Sequence, residues 1–175
     1  MRELWVWRVE LFVGALITVA AFVFAVWARR RWWLARVPAR RARRYALAEA
    51  GAVVGTVPWL VMTMWPDPVA PSRLSLVPVR DLLSLDPSAV PVQVGGNLMV
   101  FAALGFCLPL RWPESASPAR VFALAAAGSV AIEVAQYVLE RSRVSAVDDV
   151  LVNAGGALLA ACASRYCFEQ VHKIS

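Results

Sequence analysis

Late in the chain a carboxylate stands where its neighbours belong in oil. Glu133 lies inside "AAAGSVAIEVAQYVL", and Gln136, Arg141, Arg143, Asp148, Asp149 and Asn153 follow it closely. A charged carboxylate costs roughly 2.5–3.5 kcal/mol at the centre of a membrane helix, so it persists only where it faces the protein interior or a wet cavity. Arg143 or Arg80 is the natural ion-pair partner. Ser129, Glu133 and Gln136 follow i, i+4, i+7 spacing and share one helix face; Asp149, Asn153 and Gly156 share another. With Asn97 and Arg80 upstream, the candidate ligand-binding set is Arg80, Asn97, Glu133, Gln136, Arg143, Asp148, Asp149 and Asn153. In it Glu133, Arg143 and Asp149 supply charge, while Asn97, Gln136 and Asn153 supply hydrogen bonds. A second chemistry is an acid/base pair of Glu133 and Asp149 working on a lipid phosphate or ester.

Structural readings stand beside these. Glu133 and an arginine would lock two helices together. Asn97, Gln136 and Asn153 would act as interhelical hydrogen-bond glue, at about 0.6 kcal/mol each. "SAVD" fits the [ST]-x-x-[DE] capping pattern, so Ser145 and Asp148 would start a helix, and Asp149 would favour its dipole.

Several chemistries lack their residues. The three cysteines, Cys107, Cys162 and Cys167, show no CxxC or Cys/His spacing, and the single histidine, His172, is almost terminal. Neighbouring Asp148 and Asp149 point about 100° apart on a helix, a poor metal pair. No GxSxG or histidine-based nucleophile set is present. The expectation is no metal and no cofactor. An enzyme is the lesser reading.

The elements that position these residues are membrane helices. The chain has 175 residues, 60% of them hydrophobic, and a mean hydropathy of +0.60. Its apolar residues gather in runs of the roughly 20-residue length that crosses a bilayer. The runs are Trp5 to Ala28, Tyr45 to Trp65, Gly96 to Leu110, Val121 to Leu139 and Val150 to Cys167. The third is short and must recruit residues before Gly95. The first has interfacial tryptophans at both ends and no small-residue cleavage motif, so it reads as a retained span rather than a signal peptide. Gly51 and Gly55 give a GxxxG spacing that permits close helix contact. Between the second and third runs lies a proline-rich segment in which "VRDLLSL" suits a short interfacial helix. The fold expected is all-α: a polytopic membrane protein of about five transmembrane helices in a small bundle.

Eight arginines lie between Arg29 and Arg44. Between two spans they read as a cytoplasmic anchor under the positive-inside rule, resting on anionic headgroups, and not as a nucleic-acid surface. That places the N-terminus outside and the C-terminus in the cytoplasm, with twelve basic residues inside against six outside. Residues 1–45 form an N-terminal span and arginine-rich loop, and residues 46–175 a membrane domain. The polar residues then meet at the outer face. Gln136 would lie about 6 Å below Glu140, and Asn153 about 6 Å below Asp149, at matching depth. The last two spans, joined by about ten residues, would be antiparallel neighbours.

"VQVGGNLMVFAALGFCLPLRW" followed by "GSVAIEVAQYVLERSRVSAVDDVLVNAGGALLA" resembles the VanZ-like family of small bacterial membrane proteins. The family pattern falls here on Asn97, Gly105, Phe106, Ser129, Glu133, Gln136, Arg143, Asp148, Asp149, Asn153 and Gly156. "SLVPVRDLL" is similar to the family's upstream segment. Ala103 and Ser75 depart from it, where proline and asparagine are usual. These motifs span about 75–163, leaving the first run and the arginine loop outside. The resemblance implies a cell-envelope protein that lowers sensitivity to teicoplanin-like antibiotics without remodelling the peptidoglycan stem peptide. Its implied partners are the lipid bilayer and a lipid-linked cell-wall precursor or a glycopeptide; no nucleic acid is expected. A structural assembly subunit is the remaining alternative.

Overall fold

A computed structural model describes residues 2–64, 73–114, 116–139 and 144–174. Arg141 and Arg143 lie outside the described residues. Among the described residues the regular structure is helical apart from two three-residue strands. Its elements are α1 (Arg2–Leu34), α2 (Ala39–Thr63), β1 (Arg73–Ser75), α3 (Arg80–Leu83), α4 (Val90–Val100), α5 (Ala102–Arg111), α6 (Pro118–Val138), β2 (Val144–Ala146) and α7 (Val147–Ile174). Among the described residues four stretches are long and apolar enough to cross a membrane: Ala39–Thr63, Val90–Arg111, Pro118–Val138 and Val147–Phe168. The protein is a membrane protein, and α1 carries the first apolar run.

The arginine-rich segment is mostly helix rather than loop. Arg29, Arg30 and Arg31 end α1, and Arg40, Arg41, Arg43 and Arg44 begin α2. Arginine is a good helix former whose long stem lets the charge reach water from a helix end. Pro38, at φ −55° and ψ 148°, breaks the run: the residue before a proline is driven out of helical geometry, so α1 ends and α2 restarts.

The third run extends back to Val90. Its span is built from α4 and α5, which break at Phe101 (φ −114°, ψ 8°). The Phe101 ring packs where a side chain on Gly128 of α6 would stand. The proline-rich segment yields the short helix α3, and β1 pairs in parallel with β2 so that Ser75 faces Ala146.

Helix α7 is the hub. It packs against α4, α5 and α6, and presents Ala154, Ala157 and Ala161 to the core. Small residues let backbones approach closely, which is how helices gain van der Waals contact in a lipid solvent. Two approaches leave no room for a Cβ: Gly105 lies on the Ala157 backbone and Gly156 on the Leu98 backbone. The GxxxG pair works similarly, Gly51 against Cys107 and Gly55 against Ala103, seating α2 on α5. Large apolar side chains such as Phe24, Leu124 and Leu159 point outward, as expected of faces solvated by lipid.

The bundle therefore has two chemically different ends. One gathers the α1–α2 turn, the end of α5, the start of α6 and the later part of α7; we call it the arginine end. The other gathers the end of α2, β1, α3, the start of α4, the end of α6, β2 and the start of α7; it is the carboxylate end.

Candidate ligand-binding cleft

At the carboxylate end a cleft of about 210 Å³ opens between α3, α4 and α7. Leu82, Ser84 and Leu85 form the wall from α3 and the turn after it. Gln93, Val94 and Asn97 come from α4. Ala146, Asp148, Asp149 and Val152 close the side formed by β2 and α7. Asn97 donates its amide N–H to the Asp149 carboxylate, joining two spans across the cleft.

Asp148 is 2% exposed and anchors the wall. Its carboxylate accepts the Val79 backbone N–H, and the Leu82 N–H at 3.1 Å. The geometry of 77–80 explains why these amides are available. The Arg80 N–H reaches the Val77 carbonyl at 3.4 Å, Pro78 follows Val77, and Val79 has φ 67°. This is a turn with positive φ at its third residue, a place that favours glycine or asparagine. A β-branched residue there is strained, and surrounding contacts must hold it. Asp148 supplies one of those contacts, reaching across to α3 in addition to its place in the first turn of α7.

The other candidate residues lie around this cleft but not all in it. Glu133 accepts the Ala146 N–H at 3.1 Å, so it braces β2 from behind. Gln136 donates to the Thr63 carbonyl at 2.6 Å, satisfying one of the acceptors left open at the end of α2. Asn153 is buried and donates to Ser129 Oγ at 2.7 Å, while its Oδ1 is buried without a partner among the described residues. Arg80 is exposed on α3 and does not line the cleft. The faces shared by Ser129, Glu133 and Gln136 and by Asp149, Asn153 and Gly156 all turn inward, but the depth match differs from expectation. Asn153 meets Ser129, seven residues before Gln136 on α6, so the two helices are offset by about two turns from the matching depth that helix rise alone gave. Among the described residues no three His, Cys, Asp or Glu side chains gather to hold a metal.

Sequence reasoning missed Ser84 and Gln93 in the wall, and the strained Val79. It also missed Glu49 at the far end of the bundle. Glu49 accepts from Arg29 Nε at 2.5 Å, Arg111 Nε at 2.8 Å and Trp33 Nε1 at 3.1 Å, tying α1, α2 and α5. The Arg111 guanidinium lies 4.7 Å from the Trp33 ring centre and 4.2 Å from that of Tyr45. The signal was present: one carboxylate in "YALAEAGAV", directly after a block of arginines.

A family model described as VanZ/LLP1 matches residues 12–168. The chain belongs to the VanZ/LLP1 family. The match reaches beyond the motifs at 75–163 and takes in most of α1 and the arginine-rich turn, so the Glu49 knot is part of the VanZ/LLP1 region. No curated protein and no solved structure matches this chain. The family pattern residues Asn97, Asp148 and Asp149 line the cleft, whereas Ser129, Glu133, Gln136, Asn153 and Gly156 brace it or pack the helices behind it.

Proposed function

We propose that this VanZ/LLP1 protein sits in the cell envelope with its cleft facing outward, where it binds the polar part of a lipid-linked or glycopeptide ligand and so lowers sensitivity to teicoplanin-like antibiotics. The observation that carries this reading is the cleft itself. Asn97 and Asp149 come from two different spans and meet in a concave site that also exposes hydroxyl, amide and apolar surface. Convergent polar groups in an otherwise apolar pocket are the usual signature of small-ligand recognition. At about 210 Å³ it suits one moiety, not an entire glycopeptide. The block of arginines at the opposite end supports the orientation, N-terminus outside and C-terminus cytoplasmic, because basic residues are retained on the inner side. Glu133, placed behind Ala146, lends no support to an enzyme built on a Glu133–Asp149 pair.

The test is drug susceptibility in a sensitive Gram-positive host expressing wild type, Asn97→Ala and Asp149→Asn, with membrane abundance checked by blot. The expected result is a raised inhibitory concentration of teicoplanin but not vancomycin with wild type, lost in both variants at equal abundance. No change with wild type would remove the antibiotic role. Loss of the variants from the membrane would make the Asn97–Asp149 pair structural.

A further inference from the structure

We infer that the cleft is filled sideways from the bilayer, by a membrane amphiphile whose headgroup meets the Asn97–Asp149 pair. This deepens the reading above and rests on the cleft being the binding site. It chooses the lipid-linked ligand over one arriving from water.

The reason is the polarity of the rim. Each main wall of the cleft has a lining residue followed or preceded by an outward apolar one. Leu82 lines the cleft and Leu83 is 82% exposed. Gln93 lines it and Val92 is 79% exposed. Val152 lines it and Leu151 is 44% exposed. The turn leading into α3 continues the band with exposed Leu76, Val77 and Val79. A cleft that takes its ligand from water is expected to carry polar groups at its mouth, since an exposed apolar rim is costly there. Here exposed Ser84 and Gln93 share the mouth with this apolar band, while Asp148 and the Asn97–Asp149 pair lie further in.

Position says what covers that rim. Val92 stands in the first turn of α4, which begins a span, and Leu151 stands near the start of α7, which begins another. Both are therefore level with the boundary between headgroups and acyl chains, where apolar side chains insert and nearby polar groups face the headgroups. The α3 segment joins them at the same level through Asp148, which holds its Val79 and Leu82 amides. The rim thus meets lipid, and a molecule entering along it keeps its chains in the membrane while its headgroup enters the cleft. Beside the Asn97 amide, the half-buried Asp149 carboxylate presents acceptor oxygens to the cleft, so a headgroup that brings hydrogen-bond donors suits it, as hydroxyl- or amine-bearing lipids do.

The test is photo-crosslinking in vesicles of phosphatidylglycerol and phosphatidylethanolamine. The full chain carries benzoylphenylalanine at position 83 on the rim, at 85 in the cleft wall, or at 88 on the polar turn beyond, where Ser88 is exposed. Position 84, also in the wall, replaces 85 if that variant is not monodisperse. The expected result is a gain of one lipid mass at both 83 and 85, absent at 88. Adducts at 83 alone would overturn the inference, because the rim would touch lipid while the cleft did not. Absence at both would overturn it too. The outcome separates from that of the susceptibility assay: lipid in the cleft without drug protection upholds this inference and removes only the antibiotic role. Protection that depends on Asp149 with no lipid at 85 leaves the site functional but filled from water, and overturns it.

Discussion

The two ends of the bundle solve the same problem, charge beside a membrane, in different ways. At the arginine end side chains neutralise side chains. Glu49 takes two guanidinium groups and an indole, and Arg111 spreads its charge over the faces of Trp33, Tyr45 and Trp112. At the carboxylate end much of the charge is met by amides. Asp148 and Glu133 accept backbone N–H groups, and Asp149 accepts from Asn97. The first arrangement needs only the right residues on neighbouring helices. The second needs a particular turn, a strained Val79 and a two-stranded ladder to aim the amides. One end can serve as an anchor; the other is shaped closely enough to recognise something.

The arginine end even defies local electrostatics. Helix α2 begins with Arg40 and Arg41, has no acidic residue in its first turn and no side-chain cap. Cations at a helix N-terminus are unfavourable by about 0.3–1 kcal/mol each. Under the proposed orientation each gains about 1 kcal/mol from the anionic inner leaflet, which offsets that cost.

The contrast can be broken at either end. The largest effect is expected from Glu49→Ala, which leaves Arg29 and Arg111 without their shared carboxylate. Hydrogen bonds to charged groups contribute about 1.5–3 kcal/mol each, so the protein should lose several °C of melting temperature in detergent and fall in membrane abundance. An unchanged melting curve would mean the aromatic faces alone hold Arg111. Next comes Asp148→Ala. It strands two amides at about 1–3 kcal/mol apiece, but the damage should stay local. Hydrogen exchange should quicken at Val79 and Leu82 while amides of the α7 core stay protected; uniform acceleration would make Asp148 a global support. Asn97→Ala should cost about 1 kcal/mol, since one neutral-to-charged contact is lost from a cleft that water can enter. Its mark should be lost drug protection at near-normal abundance. The smallest effect is Val79→Gly. Relief of positive-φ strain, about 1–2 kcal/mol, is partly cancelled by glycine's backbone entropy, about 0.5–1 kcal/mol, leaving a slight rise in stability. A fall in detergent melting temperature would mean that contacts of the valine side chain outweigh the strain of its backbone.

What could be read from the chain follows from the physics of each feature. The spans were legible because lipid demands long apolar runs. Val90 to Val94 was harder to place, since Gly95 and Gly96 argue against helix locally; Pro91 sits in the first turn, where proline is tolerated, and the span continues through the glycines because its backbone must be bonded within the membrane. The inward faces of α6 and α7 were legible because helical spacing is rigid: Ser129 with Gln136, and Asn153 with Gly156, are all buried. The offset between those helices was not, because it depends on how the connection folds. Asp148 shows the limit most clearly. As a residue beside Asp149 and three after Ser145 it reads as a cap for its own helix, yet its carboxylate also holds amides almost seventy positions away.

By itself, the sequence determined that this is a helical membrane protein of the VanZ/LLP1 type, which ends of its helices carry arginine and which carry carboxylate, and which faces turn inward. Those properties depend on composition and on a fixed 3.6-residue period. Only the tertiary structure decided which polar groups meet, because that rests on helix offset and on one turn. It separated Asn97 and Asp149, which touch within the cleft, from Glu133, Gln136 and Asn153, which brace it from behind.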